Sequence, residues 1–244
     1  MADTLLSRGY AAGVDQPFVV RLAAPRAAHE ASALLSAADR RRLSSISAPE
    51  RRAAHATGRV LLHELVAELS GQPVGTVAIT TRCPRCGSEQ HGRPQAGTPR
   101  LHLSLAHAPG VVLAAVADRP CGVDVERLED ANRLADAARV VLSPKEIRDG
   151  HGTDPTSLLR TWVRKEALLK AWGSGLQVRP EDVSLCGDDS PTRRPVNTPG
   201  GLPRAEVRDL TIDDLTIDDL TIDDLRSHDL VAAVCLVEVP SAPR

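Results

Sequence analysis

The sequence predicts an α+β protein made of two similar helix-plus-antiparallel-sheet halves, residues 1–118 and 119–244, joined as a pseudo-dimer within one chain. Three observations predict it. A helix, a glycine, a strand, a loop and two further strands follow one another twice, first through Leu69, Gly71 and Val77, then through Trp172, Gly175 and Val183. The two junctions are alike as text: Gly71-Gln-Pro-Val-Gly-Thr-Val-Ala-Ile stands against Gly175-Leu-Gln-Val-Arg-Pro-Glu-Asp-Val-Ser-Leu. With 244 residues, the chain is long enough to bury a core in each half.

The elements follow from local chemistry. Residues 16–24 hold a short β-like run, and Glu30 to about Ser45 reads as a helix containing Arg40-Arg41-Arg42. Pro49 opens a longer helix, since its missing N–H is harmless in the first turn. Leu61, Leu62, Leu65, Val66 and Leu69 give that helix its core stripe, and Gly71 closes it. Val74 to Ile79 is a strand candidate, residues 82–100 read as loop, and Leu101 to Leu105 and Val111 to Ala117 read as strands. Asp118-Arg119-Pro120 turns the chain into a strand from Gly122 to Glu126. A polar, Ala-rich connection runs from Arg127 to Val141, and Ser143-Pro144-Lys145-Glu146 is a capping box. Leu158 to Trp172 is a helix ended by Gly173, and Val183 to Cys186 a strand. Residues 187–203 read as polar loop, and Ala205 to Leu210 and Leu230 to Val239 as strands. Between those strands lie three copies of Thr-Ile-Asp-Asp-Leu, residues 211–225, read as an insertion in the second half. A period of five forms no stripe on a helix and alternates faces on a strand, so a solvated loop is expected.

Composition excludes several functions. Lys plus Arg number 30 against 32 Asp plus Glu, a formal charge of −2, which favours neither nucleic acid nor membrane as partner. Aromatic residues are 2% of the chain, too few for base-stacking platforms. No run approaches the roughly 20 apolar residues of a membrane span, and the stretch around Asp3 lacks a secretory pattern, so a cytoplasmic protein is expected. Five cysteines, an odd number, do not suggest a disulfide framework.

Two stretches carry the chemistry. On the strand Gly122-Val123-Asp124-Val125-Glu126, residues two apart share a face, so Asp124 and Glu126 point together. On the helix, Trp162, Glu166 and Lys170 are spaced four apart and share a side, which sets Glu166 beside a large apolar group. Three carboxylates from a strand and a helix suit a hard divalent cation such as Mg²⁺ that also takes substrate phosphates, with Lys170 placed to hold a phosphate. The plain alternatives are an exposed strand face for Asp124 and Glu126 and a solvated salt bridge for Glu166 and Lys170.

G-V-D-x-E followed by W-x-x-K-E-A-x-x-K resembles the 4′-phosphopantetheinyl transferases of the larger, Sfp-like type. The resemblance covers roughly residues 40–185 by motif and the last strands by layout. It implies a monomer whose two halves bind coenzyme A and metal in the cleft between them. It also implies transfer of 4′-phosphopantetheine from coenzyme A to a serine of apo acyl or peptidyl carrier protein domains, with release of 3′,5′-ADP. The carriers would be those of polyketide, nonribosomal peptide or fatty-acid synthesis. Asp124, Glu126 and Glu166 match the family's Mg²⁺ ligands; Glu166 also matches a candidate general base, and Lys170 a contact to the coenzyme A phosphates. Lys165 matches a motif position without an assigned role.

The resemblance extends to the first half. Leu103-Ser104-Leu105-Ala106-His107-Ala108 resembles the family's N-x-S-H-S segment, whose His approaches the phosphates. Ala106 here replaces the Ser before His107, and that hydroxyl contact is lost. Arg40, Arg42 and Arg59 correspond to basic residues that hold the 3′-phosphate; a solvated helix face is their plain reading. His91-Gly92-Arg93-Pro94 resembles a G-[KR]-P loop near the adenine, making Arg93 a further candidate. Cys83-Pro-Arg-Cys86-Gly, with His91 beyond it, is half a zinc knuckle, a redox pair or a plain loop. Two other functions fit the acidic residues less well. A carboxylate–Mg²⁺ phosphohydrolase of nucleotides would need no carrier, and a degenerate regulator binding coenzyme A or carrier would not need all three acids.

Overall fold

The computed structural model describes residues 18–27, 34–83, 86–89, 91–98, 100–152, 154–185, 194–197, 201–218 and 229–238. In chain order these form β1 (Phe18–Ala23), α1 (Ala37–Ser44), α2 (Pro49–Ser70), β2 (Ile79–Arg82), β3 (Arg93–Ala96), β4 (His102–Ala108) and β5 (Val111–Ala117). There follow β6 (Cys121–Arg127), α3 (Ala138–Val141), α4 (Pro144–Arg148), α5 (Pro155–Trp172), β7 (Ser184–Leu185), β8 (Arg194–Asn197), β9 (Ala205–Asp209), β10 (Thr216–Asp218) and β11 (Leu230–Val237). The chain is α+β, and it divides into two compact units.

The first unit comprises residues 1–118 with 213–220. Its six-stranded sheet has the order β10-β1-β5-β4-β3-β2. Every residue of β5, Val-Val-Leu-Ala-Ala-Val-Ala, is buried, as expected of an interior strand. The long helix α2 starts at Pro49 and ends at Gly71, whose φ of 68° closes it in the left-handed region. Its Leu61, Leu62, Leu65 and Val66 pack on Leu103, Val112, Ala114 and Val116 of the sheet.

Three local readings are corrected here. The first helix begins at Ala37, because Ser36 caps it: Ser36 Oγ accepts from the Asp39 N–H and the Asp39 carboxylate accepts from Ser36. Residues 28–33 of the expected helix lie outside the described residues. Val74–Thr76 is a 3-10 turn, held by Thr76 donating to the Pro73 carbonyl through both N–H and Oγ, and the strand begins only at Ile79. The expected 82–100 loop contains β3, which pairs with β2 from Ile79↔Ala96 to Arg82↔Arg93. Its Arg-Pro-Gln-Ala text has little strand character, so pairing with its neighbours makes it a strand.

The second unit comprises residues 119–212 and 221–244, with a five-stranded sheet in the order β6-β11-β9-β8-β7. Helix α5 lays Leu159, Val163, Ala167, Leu168 and Ala171 on Val183, Val207, Val231, Ala233 and Cys235. The expected capping box is present: Ser143 Oγ accepts from the Glu146 N–H, and the Glu146 carboxylate accepts from the Ser143 N–H. The 187–203 loop holds β8, which pairs with β7 and β9. The two sheets share one connectivity. In each, the strand before the helices pairs with the last strand, and the strands between return in a meander. Among the described residues no helix is long and apolar enough to cross a membrane.

The repeat departs from the loop expected for it. Residues Ile212–Asp214 form a 3-10 turn, and Thr216–Asp218 form β10, parallel to β1 from Arg21↔Thr216 to Ala23↔Asp218. Asp218 Oδ2 lies 3.3 Å from Arg21 Nε, which explains the pairing: each copy carries a β-branched pair and an acid that Arg21 can hold. Residues 219–228 lie outside the described residues. Removing one copy, residues 216–220, brings the next Thr-Ile-Asp into the same place, so thermal melting should stay within about 1 °C of the parent. Removing residues 211–225 takes away β10 and the Arg21 partner together. That deletion should lower the melting temperature by roughly 2–4 °C for each kcal/mol lost, measured by calorimetry.

Candidate active site

From Leu158 to Ala171, helix α5 is buried except at Arg160, Trp162, Glu166 and Lys170. Trp162, Glu166 and Lys170 form one half-buried stripe, four residues apart. The stripe stands close to β6 because Gly122 has no side chain. A Cβ there would lie 1.9 Å from the Ala167 carbonyl oxygen and 2.5 Å from the Ala171 nitrogen. Only glycine lets helix and strand approach this closely. Two residues further on, Asp124 is buried opposite Ala233, and Glu126 is half-buried opposite Val231.

The contacts follow from that approach. Lys170 Nζ donates to Asp124 Oδ1 at 2.6 Å and to the Val123 carbonyl at 3.1 Å. Burial pushes the Glu126 carboxyl up to about 7, and the charges of Asp124 and Asp130 push the same way. Lys170 and a hydrogen bond from the Trp162 side chain oppose the rise. Burial also raises Glu166, with Asp124 adding to it and Lys170 opposing. Three acids thus crowd one ammonium, an excess of negative charge that a divalent cation would relieve. The donor set fits Mg²⁺ in kind, all of it carboxylate oxygen. The oxygens of the three acids are not gathered within 4.8 Å of one another, so holding one ion requires their side chains to come closer together.

Lys165, next to Glu166, faces the other way. Its side chain is fully buried, and Nζ donates to Glu146 Oε2 at 2.6 Å, the Val141 carbonyl at 2.7 Å and the Pro180 carbonyl at 3.0 Å. This resolves the motif position left without a role: Lys165 anchors α5 from behind. Arg164 does likewise through a paired contact to Asp209, at 2.7 and 2.5 Å.

In the first unit, Arg42 of α1 and His107 of β4 share the electrostatic surroundings of His55 on α2, together with Arg59 and Asp39. Burial lowers the His55 pKa, the cations Arg59, Arg42 and His107 lower it further, and Asp39 opposes them. Arg42, Arg59 and His107 thus all act on one imidazole, that of His55, a residue that sequence reading did not single out. The signal was its position one turn before Arg59 on α2. Arg42 and His107 are exposed, whereas Arg59 is buried: Nε lies 2.8 Å from Asp39 Oδ1, and NH2 donates to the Ile79 carbonyl at 3.1 Å. Its guanidinium is thus paired with Asp39 in the interior of the unit. Arg40 is exposed and donates to the Leu35 carbonyl. Arg93 stands apart, donating to the Leu103 carbonyl at 3.4 Å and lying near His102.

The chain is similar in sequence to known proteins. Residues 120–234 match the family model of the 4′-phosphopantetheinyl transferase superfamily. A 4′-phosphopantetheinyl transferase of Bacillus subtilis is 26% identical over 104 residues, which is 41% of this chain and 46% of the relative. The 4′-phosphopantetheinyl transferase psf-1 of Bacillus pumilus is 28% identical over 128 residues, 49% of each. The chain spans about half the length of the curated relatives it matches.

Two outcomes are expected. Gly122→Ala forces α5 off β6 and should destabilise the protein by about 1–3 kcal/mol or more, read from denaturant unfolding. Glu126 binds its proton more tightly folded than unfolded, so in the absence of metal its contribution to stability falls as pH rises from about 4.5 to about 7, then levels. Glu126→Gln should flatten that part of the melting-temperature profile and make the variant more stable than the parent at pH 8.

Proposed function

We propose that the chain moves the 4′-phosphopantetheine group of coenzyme A onto a serine hydroxyl of an apo acyl or peptidyl carrier protein domain and releases 3′,5′-ADP, a reading supported by the match of residues 120–234 to the family model of the 4′-phosphopantetheinyl transferase superfamily. The carrying observation is the crowding of Asp124, Glu126 and Glu166 around Lys170 within that segment. The carriers would be those of polyketide, nonribosomal peptide or fatty-acid synthesis, in the cytoplasm.

Asp124, Glu126 and Glu166 would hold Mg²⁺. Bound there, Mg²⁺ would neutralise the pyrophosphate of coenzyme A and polarise the phosphate under attack. Glu166 is the candidate base for the serine hydroxyl, and in the metal-free site burial raises its pKa. Once the proton reaches Glu166, the serine oxygen bonds to the β-phosphorus and the bond to 3′,5′-ADP breaks. Lys170 spends two of its three N–H donors on Val123 and Asp124, which leaves one for a phosphate oxygen. Arg40, Arg42, Arg93 and His107 are proposed as further contacts to coenzyme A. Arg59 acts through Asp39, which caps α1 just before Arg40 and Arg42. The strand order common to the two units, apart from β10, supports the likeness of the halves and the reading of a monomeric pseudo-dimer.

The test is to incubate the protein with coenzyme A, Mg²⁺ and an apo carrier and to weigh the carrier by mass spectrometry. The carrier should gain one phosphopantetheine, and EDTA should stop the gain. Consumption of coenzyme A without carrier would show a phosphohydrolase instead. Asp124→Ala should reduce transfer by at least about 10²-fold while circular dichroism stays native; a folded variant with parental activity would remove the acids from the mechanism. Lys170→Ala should raise the KM for coenzyme A well above any change in that for carrier.

A further inference from the structure

Between β2 and β3, Cys83, Cys86 and His91 take no part in the transfer proposed above, although His91 leads directly into Gly92 and Arg93. Their ligand atoms lie within 4.8 Å of one another, with Cys86 Sγ and His91 Nε2 3.2 Å apart. Zinc bonds of about 2.3 Å to sulfur and about 2.0–2.1 Å to nitrogen, at tetrahedral angles, set neighbouring donors about 3.6 Å apart, within the span seen here. Among the described residues, this is the one group of three or more His, Cys, Asp or Glu with that proximity.

The backbone builds the cluster. The Cys83 N–H donates to the Ser88 carbonyl at 2.8 Å, and the Gly87 N–H donates to the Cys83 carbonyl at 2.9 Å. Gly87, with φ of 71°, turns the chain directly after Cys86. Gly92, with φ of 119°, brings the segment after His91 back against the start of the turn. A Cβ there would lie 2.6 Å from the Arg82 carbonyl group and 2.7 Å from the Cys83 nitrogen. The pairing of Arg82 with Arg93 closes the base of the turn.

We propose that Cys83, Cys86 and His91 bind Zn²⁺. Two sulfurs and an imidazole select zinc over Mg²⁺, which prefers oxygen. Binding displaces the two thiol protons, leaving two thiolates and a neutral imidazole on the ion, and the fourth position goes to water. The ion pins the ends of the turn together and so fixes the start of β3 at Arg93.

The test uses the full chain, kept reduced, loaded with ZnSO₄ and desalted. Plasma mass spectrometry should find about one Zn²⁺ per chain, and the double variant Cys83→Ser, Cys86→Ser should lose it. Co²⁺ loaded in place of zinc should show a sulfur-to-cobalt charge-transfer band in the near ultraviolet. In His91→Ala, which keeps both thiols, Zn²⁺ affinity should fall by at least about tenfold, measured by competition with a chromogenic chelator. Three results would overturn the site: no zinc retained while both thiols titrate as reduced, zinc retained equally by the double variant, or a Cys83–Cys86 disulfide that forms in air despite added Zn²⁺.

Discussion

The second unit is organised around one buried ion pair, Lys165 with Glu146. Glu146 is the third residue of α4 and closes its capping box, so its Oε2 accepts from both the Ser143 N–H and the Lys165 ammonium, while Oε1 accepts from the Leu185 N–H. Lys165 adds the carbonyls of Val141 and Pro180. Helix α5 is thereby tied to the end of α3, the start of α4, the segment before β7 and β7 itself. Burying two charges is expensive, and the pair is tolerable only because nearly every polar atom finds a partner. Removing either member would strand the other charge in a dry interior. The arrangement fixes the rotation of α5 about its axis, and that rotation turns Trp162, Glu166 and Lys170 toward β6.

On the opposite side of the helix the charges are deliberately unbalanced. Behind, Lys165 and Arg164 are each matched by a carboxylate at hydrogen-bond distance. In front, Lys170 faces three acids, and burial has raised both Glu126 and Glu166. A stable rear and a strained front belong together: without the rear anchors, repulsion among the acids would be relieved by moving the helix.

Much of this was legible in the sequence, and the limits have physical causes. Asp124, Glu126, Glu166 and Lys170 could be placed because strand and helix periods are geometric, and the Ser143 capping box because it is local. The role of Lys165 was hidden, since its partners at Glu146, Val141 and Pro180 are distant in sequence. Arg59 looked like a surface cation because nothing local announces that Asp39 waits for it. The strand β3 escaped notice because its residues are poor strand formers. Gly122 was visible as part of a motif, but the reason for it, a helix carbonyl 1.9 Å from where a methyl would stand, exists only in three dimensions.

The tandem copies have a consequence for solution behaviour. β10 occupies the outer side of β1, where a bare strand would present a ladder of unsatisfied amides to any passing chain. The occupant is short and acidic: three residues, ending in Asp218 and drawn from text that is rich in aspartate. A three-residue strand offers a further chain few amides to pair. Over Arg21–Ala23 the repeat thus supplies the kind of short, charged border that discourages edge-to-edge pairing.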